Sequence, residues 1–133
     1  MSDKANTIRA GIWSVVFTSA GVLHLTKPQV FDSLVPKQLP GTQRDWSLGS
    51  GVMEVGLGVG IAATAMVPTW RPVLHSVMGP AASVFLAGVL PGNIKMAVDF
   101  VGSQQISPVA KAIAVARVPL QVPMIASTWR LGS

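Results

Sequence analysis

The 133-residue chain contains no cysteine. That absence excludes a disulfide framework, thiol–disulfide chemistry, iron–sulfur ligation and a cysteine nucleophile. Charge is nearly as scarce. Asp, Glu, Lys and Arg together make up 11% of the residues, where a soluble domain uses roughly 25% to cover its surface. Half of the chain is hydrophobic and it holds 13 Gly and 10 Pro, with a mean hydropathy of +0.52. Such a chain cannot dress a water-facing exterior, which argues against a soluble enzyme, a disordered tail and a coiled coil. The formal net charge of +5 comes from scattered bases that form no stripe, so nucleic acid is not an expected partner. No redox-active residue and no cluster with metal-ligand spacing is present.

What the chain has instead is four apolar segments of membrane-crossing length, about 20 residues each. They run over about residues 10–26, 47–67, 73–90 and 109–129. None shows the two-residue alternation of a barrel strand. The expected fold is therefore all-α, a single transmembrane domain built as a four-helix bundle. Lys4 and Arg9 precede the first segment as in a secretory signal, but His24 and Lys27 occupy the place of a small-residue cleavage site, so the segment is expected to stay. Trp13, Trp46, Trp70 and Trp129 fall at or near segment ends, the level that indole rings favour at a membrane. The stretch between the first two segments, Lys27 to Trp46, mixes Val30, Phe31, Leu34 and Val35 with Lys27, Asp32 and Lys37. That mixture predicts a short amphipathic segment on the membrane surface. Pro68–Pro72 reads as a tight turn, and Pro91–Pro108 as a polar connection containing an apolar stub.

Four spans put both termini on one side. Lys4, Arg9, Arg71 and Arg130 on that side balance Lys27, Lys37, Arg44 and Lys95 on the other. The two bases ahead of the first helix place the termini in the cytoplasm.

Ionisable groups inside apolar spans are the informative feature, because each costs a few kcal/mol in hydrocarbon. Glu54 and Arg117 lie about seven and eight residues below the long-loop face, hence roughly 10–12 Å deep. His24 lies within a turn of that face, and Asn93 just past the expected end of the third helix. Gln121 follows Arg117 by four residues and shares its helix face. The expectation is a Glu54–Arg117 ion pair inside the bundle, with Gln121 on the same carboxylate and His24 exchanging protons above it. Lys111 is expected to snorkel to the headgroups, and His75, near the opposite face, to be structural. Gly56 and Gly60 carry the small-x-x-x-small spacing of close helix packing. Pro119 and Pro123 each free a backbone carbonyl beside Arg117, as where a cavity re-satisfies the backbone.

Five stretches, AGVLHL, FDSLVPKQLPG, SGVMEVGLG, PGNIKMAVDF and ARVPLQVPMI, taken in this order resemble the DoxX-like family of small four-helix bacterial membrane proteins. The likeness spans about residues 10 to 130. It implies a bundle in the bacterial cytoplasmic membrane and, from named members, association with respiratory or sulfur-oxidation complexes acting on quinones. The positions that match the family's polar motifs are His24, Glu54, Asn93, Arg117 and Gln121. A thiol mechanism cannot carry over to a chain without cysteine.

Two functions follow as expectations. One is an accessory or ligand-binding subunit that holds a lipid-like or quinone-like molecule through His24, Glu54, Asn93, Arg117 and Gln121, or docks onto a larger membrane complex; self-association into a homo-oligomer is compatible with either. The other is a membrane enzyme, an isomerase, hydratase or cyclase of a lipophile. In it Glu54 is the general acid or base, His24 a proton shuttle and Arg117 or Gln121 the oxyanion partner. A proton-coupled carrier is a weaker third, since one four-helix unit leaves little room for alternating access.

Overall fold

In the computed structural model, which describes residues 3–133, every regular element is helical. Helix α1 covers Asp3–Thr26, the short α2 Gln29–Asp32, and α3 Gln43–Met66. A 3-10 turn, Pro68–Trp70, a single turn α4, Arg71–Val73, and a π segment, Leu74–Met78, lead into α5, Gly79–Gly102, and α6 covers Pro108–Trp129. Four helical stretches, counting 68–102 as one, are long and apolar enough to cross a membrane.

The helices begin where side chains can cap them. Thr42 accepts from Asp45 N at 3.1 Å while Asp45 Oδ2 accepts from Thr42 N at 3.3 Å. This reciprocal capping box starts α3 four residues earlier than the apolar run. Ser107 Oγ accepts from Ala110 N at 3.1 Å, ahead of Pro108 in the first turn of α6, where its missing N–H costs nothing.

The third helix departs most from the expected limits. It neither waits for Val73 nor ends at Leu90. The turn at Pro68–Pro72 is itself helical, and α5 continues through Pro91 to Gly102. Pro91 removes only the donor for the Ala87 carbonyl, and the turns beyond it bury Met96. A sequence rule that halts a helix at an internal proline shortens it here by a dozen residues.

Two helix pairs make up the molecule, α1 with α3 and α5 with α6, each packed along its length and touching the other pair more sparsely. The α1–α3 seam is tight because glycines line it. A Cβ on Gly21 would lie 2.7 Å from the Gly51 carbonyl oxygen, and one on Gly58 would lie 2.7 Å from Thr18 N. Gly51 and Gly58 are seven residues apart, so they share a face. The expected pair does not do this work: Gly56 faces open space, and Gly60 meets only the tip of Met78. Ser14 Oγ donates to the Gly58 carbonyl at 2.8 Å across the same seam.

The pairs meet through an apolar core of Trp13, Phe17, Leu57, Ile61, Phe85 and Leu86, with Phe17 edge-on to Phe85. Trp13 belongs to this core and not to an interfacial belt. It is 7% exposed and its Nε1 donates to Ser127 Oγ at 2.9 Å. Trp46, Trp70 and Trp129 do lie exposed near helix ends.

The end of the molecule that carries both termini is closed by hydrogen bonds. Arg71 pairs with Asp3 and donates to the carbonyls of Gly132 and Ser133 at 3.1 and 2.9 Å. Gly132 N donates to Asn6 Oδ1 at 2.7 Å, and His75 Nδ1 bonds the Leu131 carbonyl. Arg9 donates to Ser127 Oγ at 2.9 Å.

Candidate functional site

The opposite end contains a cavity of about 270 Å³ between α1, α3 and α5, walled by His24, Phe31, Ser47, Glu54, Asn93 and Arg117 among others. On α3, Ser47 and Glu54 are seven residues apart, so two helical turns bring them to one face. Both are buried, at 1% and 6% exposure. Ser47 Oγ, Glu54 Oε2 and, at the end of α2, Asp32 Oδ1 have no hydrogen-bond partner, and Ser47 stands close enough to Asp32 to help lower its carboxyl. A buried polar atom left unpaired costs about 1–3 kcal/mol, so two at one cavity ask for an occupant that supplies the missing bonds.

The partner nearest Glu54 is His24, with Nδ1 3.5 Å from Oε2. That ring nitrogen is also 2.8 Å from the Ala20 carbonyl. A carbonyl can only accept, so Nδ1 carries the hydrogen and spends it there. Glu54 Oε2 is left beside the imidazole without a bond from it. Phe31 lies flat on the His24 ring, with centroids 3.6 Å apart and planes 15° apart.

The expected Glu54–Arg117 ion pair is not formed. Arg117 lines the same cavity and its charge reaches Glu54, but the acid's close ionic contact is His24. Arg117 is an exposed residue of α6. Gln121 also leaves the expected role. It is 2% exposed, donates Nε2 to the Leu86 carbonyl at 2.8 Å and accepts from Asn93 Nδ2 at 2.9 Å. Its amide locks α6 to α5 and is spent before it could reach a ligand. Asn93 stands inside α5, not after it, and joins the cavity wall to that lock.

Residues 27–42 do not form a surface helix of any length. After the four residues of α2 the chain folds inward, and Leu34, Val35, Pro36 and Leu39 form a strap over the cavity. Three ties hold it. Lys95 Nζ donates to the Ser33 carbonyl at 2.8 Å, Gln43 Nε2 to the Val35 carbonyl at 2.7 Å, and Arg44 Nη2 meets Asp32 Oδ2 at 2.8 Å. The Arg44 bond holds the Asp32 carboxyl below its ordinary value. Trp46 Nε1 donates to the Pro40 carbonyl at 2.7 Å and pins the far end. Of the apolar residues in the expected amphipathic stretch, Phe31, Leu34 and Val35 therefore line the cavity, while Val30 stays exposed.

Ser47 and Ser50 are wall residues that the sequence pattern did not single out, and Phe31 and Trp46 are wall residues that it assigned to the membrane surface. The capping box at Thr42 was the available signal for the serines, because it puts residue 47 inside the helix and in phase with Glu54.

A family model described as "Domain of unknown function (DUF8561)" matches residues 13–132, nearly the whole chain and all of the cavity. No curated protein and no solved structure matches it.

Proposed function

The chain belongs to the DUF8561 family, and we propose that it is a multi-pass protein of the bacterial cytoplasmic membrane that holds a lipid-like or quinone-like molecule under the strap. The observation that carries this reading is the pair of buried, unpartnered atoms, Glu54 Oε2 and Ser47 Oγ, facing a cavity with mostly apolar walls. Ligand pockets have this composition: apolar lining with a few convergent polar groups. At about 270 Å³ it is near the lower end of the ~300–1,000 Å³ usual for ligand pockets, which suits a ring or head group better than a whole two-chain lipid. Four membrane-length helices and outward-facing Val15, Val52, Val84 and Val122 support the placement in a bilayer. The likeness of short segments to DoxX-like proteins supports the cytoplasmic membrane and a role as an accessory subunit that docks onto a larger complex, and Lys4 and Arg9 ahead of the first apolar segment support termini inside.

The test is native mass spectrometry of the protein extracted with its surrounding lipid into polymer discs. A retained small-molecule mass, lost in Glu54→Gln with assembly intact, is the expected result. A bare protein mass from wild type and variant alike would remove the reading.

One observation favours a second reading, an enzyme acting on a lipophile. Glu54 lies 3.5 Å from His24, so an acid and an imidazole share one water-poor site. Such a pair can move a proton in an isomerisation, hydration or cyclisation. Turnover of a lipophile by the isolated protein, abolished in Glu54→Gln, would select this reading over an accessory role.

A further inference from the structure

A second cavity, about 550 Å³, adjoins the first. The two share Trp46, Ser50, Gly88 and Val89 as walls. The outer one runs between α3 and α5, from Asp45 at the strap end to Met53 and Phe85. Asp45 to Met53 is eight residues on one helix, about 12 Å. Two glycines keep the groove open: a Cβ at Gly49 or Gly88 would meet nothing within 4 Å. The inner cavity is different in kind. Ser47, Ser50 and Glu54 form a polar ladder on one face of α3, about 10 Å long by helical rise. The unpartnered atoms Ser47 Oγ and Glu54 Oε2 stand at its two ends.

We propose that the two cavities form one site for a neutral, single-chain lipid with a polyol head, its hydroxyls on the ladder and its chain in the groove between α3 and α5. The proposal rests on the reading that the inner cavity takes a ligand, and it names the class. Several hydroxyls are needed because the orphaned atoms are too far apart for one. A hydroxyl both donates and accepts, so it satisfies Glu54 in either protonation state and Ser47 in either role. A neutral head fits because an acid and a base, Glu54 and Arg117, wall the same space. A single chain fits because the groove is one helix gap wide.

Two reporters separate the ends of this site. His24 lines only the inner cavity, and Met53 only the outer one; among the described residues neither His75 nor any other methionine lines either. The experiment follows the His24 ring and Met53 methyl resonances of the full chain in detergent-free lipid discs. The probes are monodecanoylglycerol, methyl decanoate and decanoate. Monodecanoylglycerol is expected to shift both resonances saturably. Methyl decanoate, which keeps the chain and lacks the hydroxyls, is expected to bind about tenfold or more weakly. Gly88→Phe, and independently Gly49→Phe, are expected to abolish the Met53 shift. A His24 shift without a Met53 shift overturns the shared site and leaves the inner-cavity reading standing. A Met53 shift without a His24 shift overturns it as well, since the groove then binds alone. Equal or tighter binding of decanoate or methyl decanoate overturns the polyol head. Silence of both reporters removes this inference and the ligand-binding reading together.

Discussion

At the terminus end, Arg71 bonds Asp3 and Gly132, Gly132 bonds Asn6, His75 bonds the Leu131 carbonyl, and Ser127 takes bonds from both Arg9 and Trp13. At the strap end, ties of similar chemistry hold residues 27–42 in place, yet the space beneath them stays open and two buried polar atoms on α3 lack partners. Both ends use the same few polar residues on the same apolar helices. One spends them on closure. The other spends them on a lid and leaves an acid uncommitted below it. Polar groups in an apolar chain thus mark either a lock or a site, and what separates the two is whether an unpaired group faces a cavity: Arg9 Nε at the terminus end is unpaired as well but lines neither cavity.

Two glycines on α5 allow the sharpest attack on this contrast. A Cβ at Gly79 would lie 2.8 Å from the Thr128 carbonyl oxygen, whereas one at Gly88 meets nothing. Gly79→Leu is expected to lower stability by about 1–3 kcal/mol or more through overpacking against backbone. Gly88→Leu should leave stability unchanged or raise it by about 0.5–1 kcal/mol, since glycine is a poor helix former. Thermal unfolding in lipid discs compares them directly, and similar losses from both would erase the distinction between a packed and an open end.

Next in size is the exchange of roles between Asn6 and Glu54. Asn6→Ala strands the buried Gly132 N–H and should cost about 1–3 kcal/mol, with ligand retention unchanged. Glu54→Gln should do the reverse: unfolding temperature close to wild type, ligand retention reduced about tenfold. If Glu54→Gln is the more destabilising of the two, the acid is a structural element and the strap end is a lock as well.

Phe31→Ala tests the lid. Removing the ring stacked on His24 opens the cavity from above. Faster hydrogen exchange at the cavity-facing end of α1, with none at the terminus end, is the expected outcome.

The smallest effect concerns the Asp32–Arg44 tie. Its bond to Arg44 lowers the Asp32 carboxyl from the ordinary 3.8. A carboxyl lowered on folding contributes its stability in full above the ordinary value. It loses that contribution as pH falls through the lowered one. The strap should therefore loosen only in acid, seen as a change in Trp46 emission, and Asp32→Asn should show no such step. A step near neutral pH would place the control of the strap elsewhere.

Much of this was legible from residues alone. Four apolar stretches without alternation announce four long helices, and scarcity of charge makes the few buried polar residues conspicuous. His24, Glu54, Asn93 and Arg117 were named for that reason, and all four line one cavity. Trp13 misled because α1 begins at Asp3 and not near residue 10, which puts Trp13 about three turns inside the helix, its ring beside Ser127 near the end of α6. Gly56 misled because its motif says nothing about which neighbour it faces. Pro91 misled because a proline weakens a helix at one bond while packing of Met96 and its neighbours continues it.

The sequence by itself determined the four helices of membrane-crossing length, the helical class and the need of Glu54 for a companion, because these depend on transfer free energy and on the 3.6-residue period of each helix taken alone. Only the tertiary structure decided that the companion is His24 and not Arg117, that Gln121 is consumed by α5, and that the long loop covers a cavity. Those outcomes depend on the rotation of one helix against another and on where a loop comes to rest. Neither quantity is written in the period of any single segment.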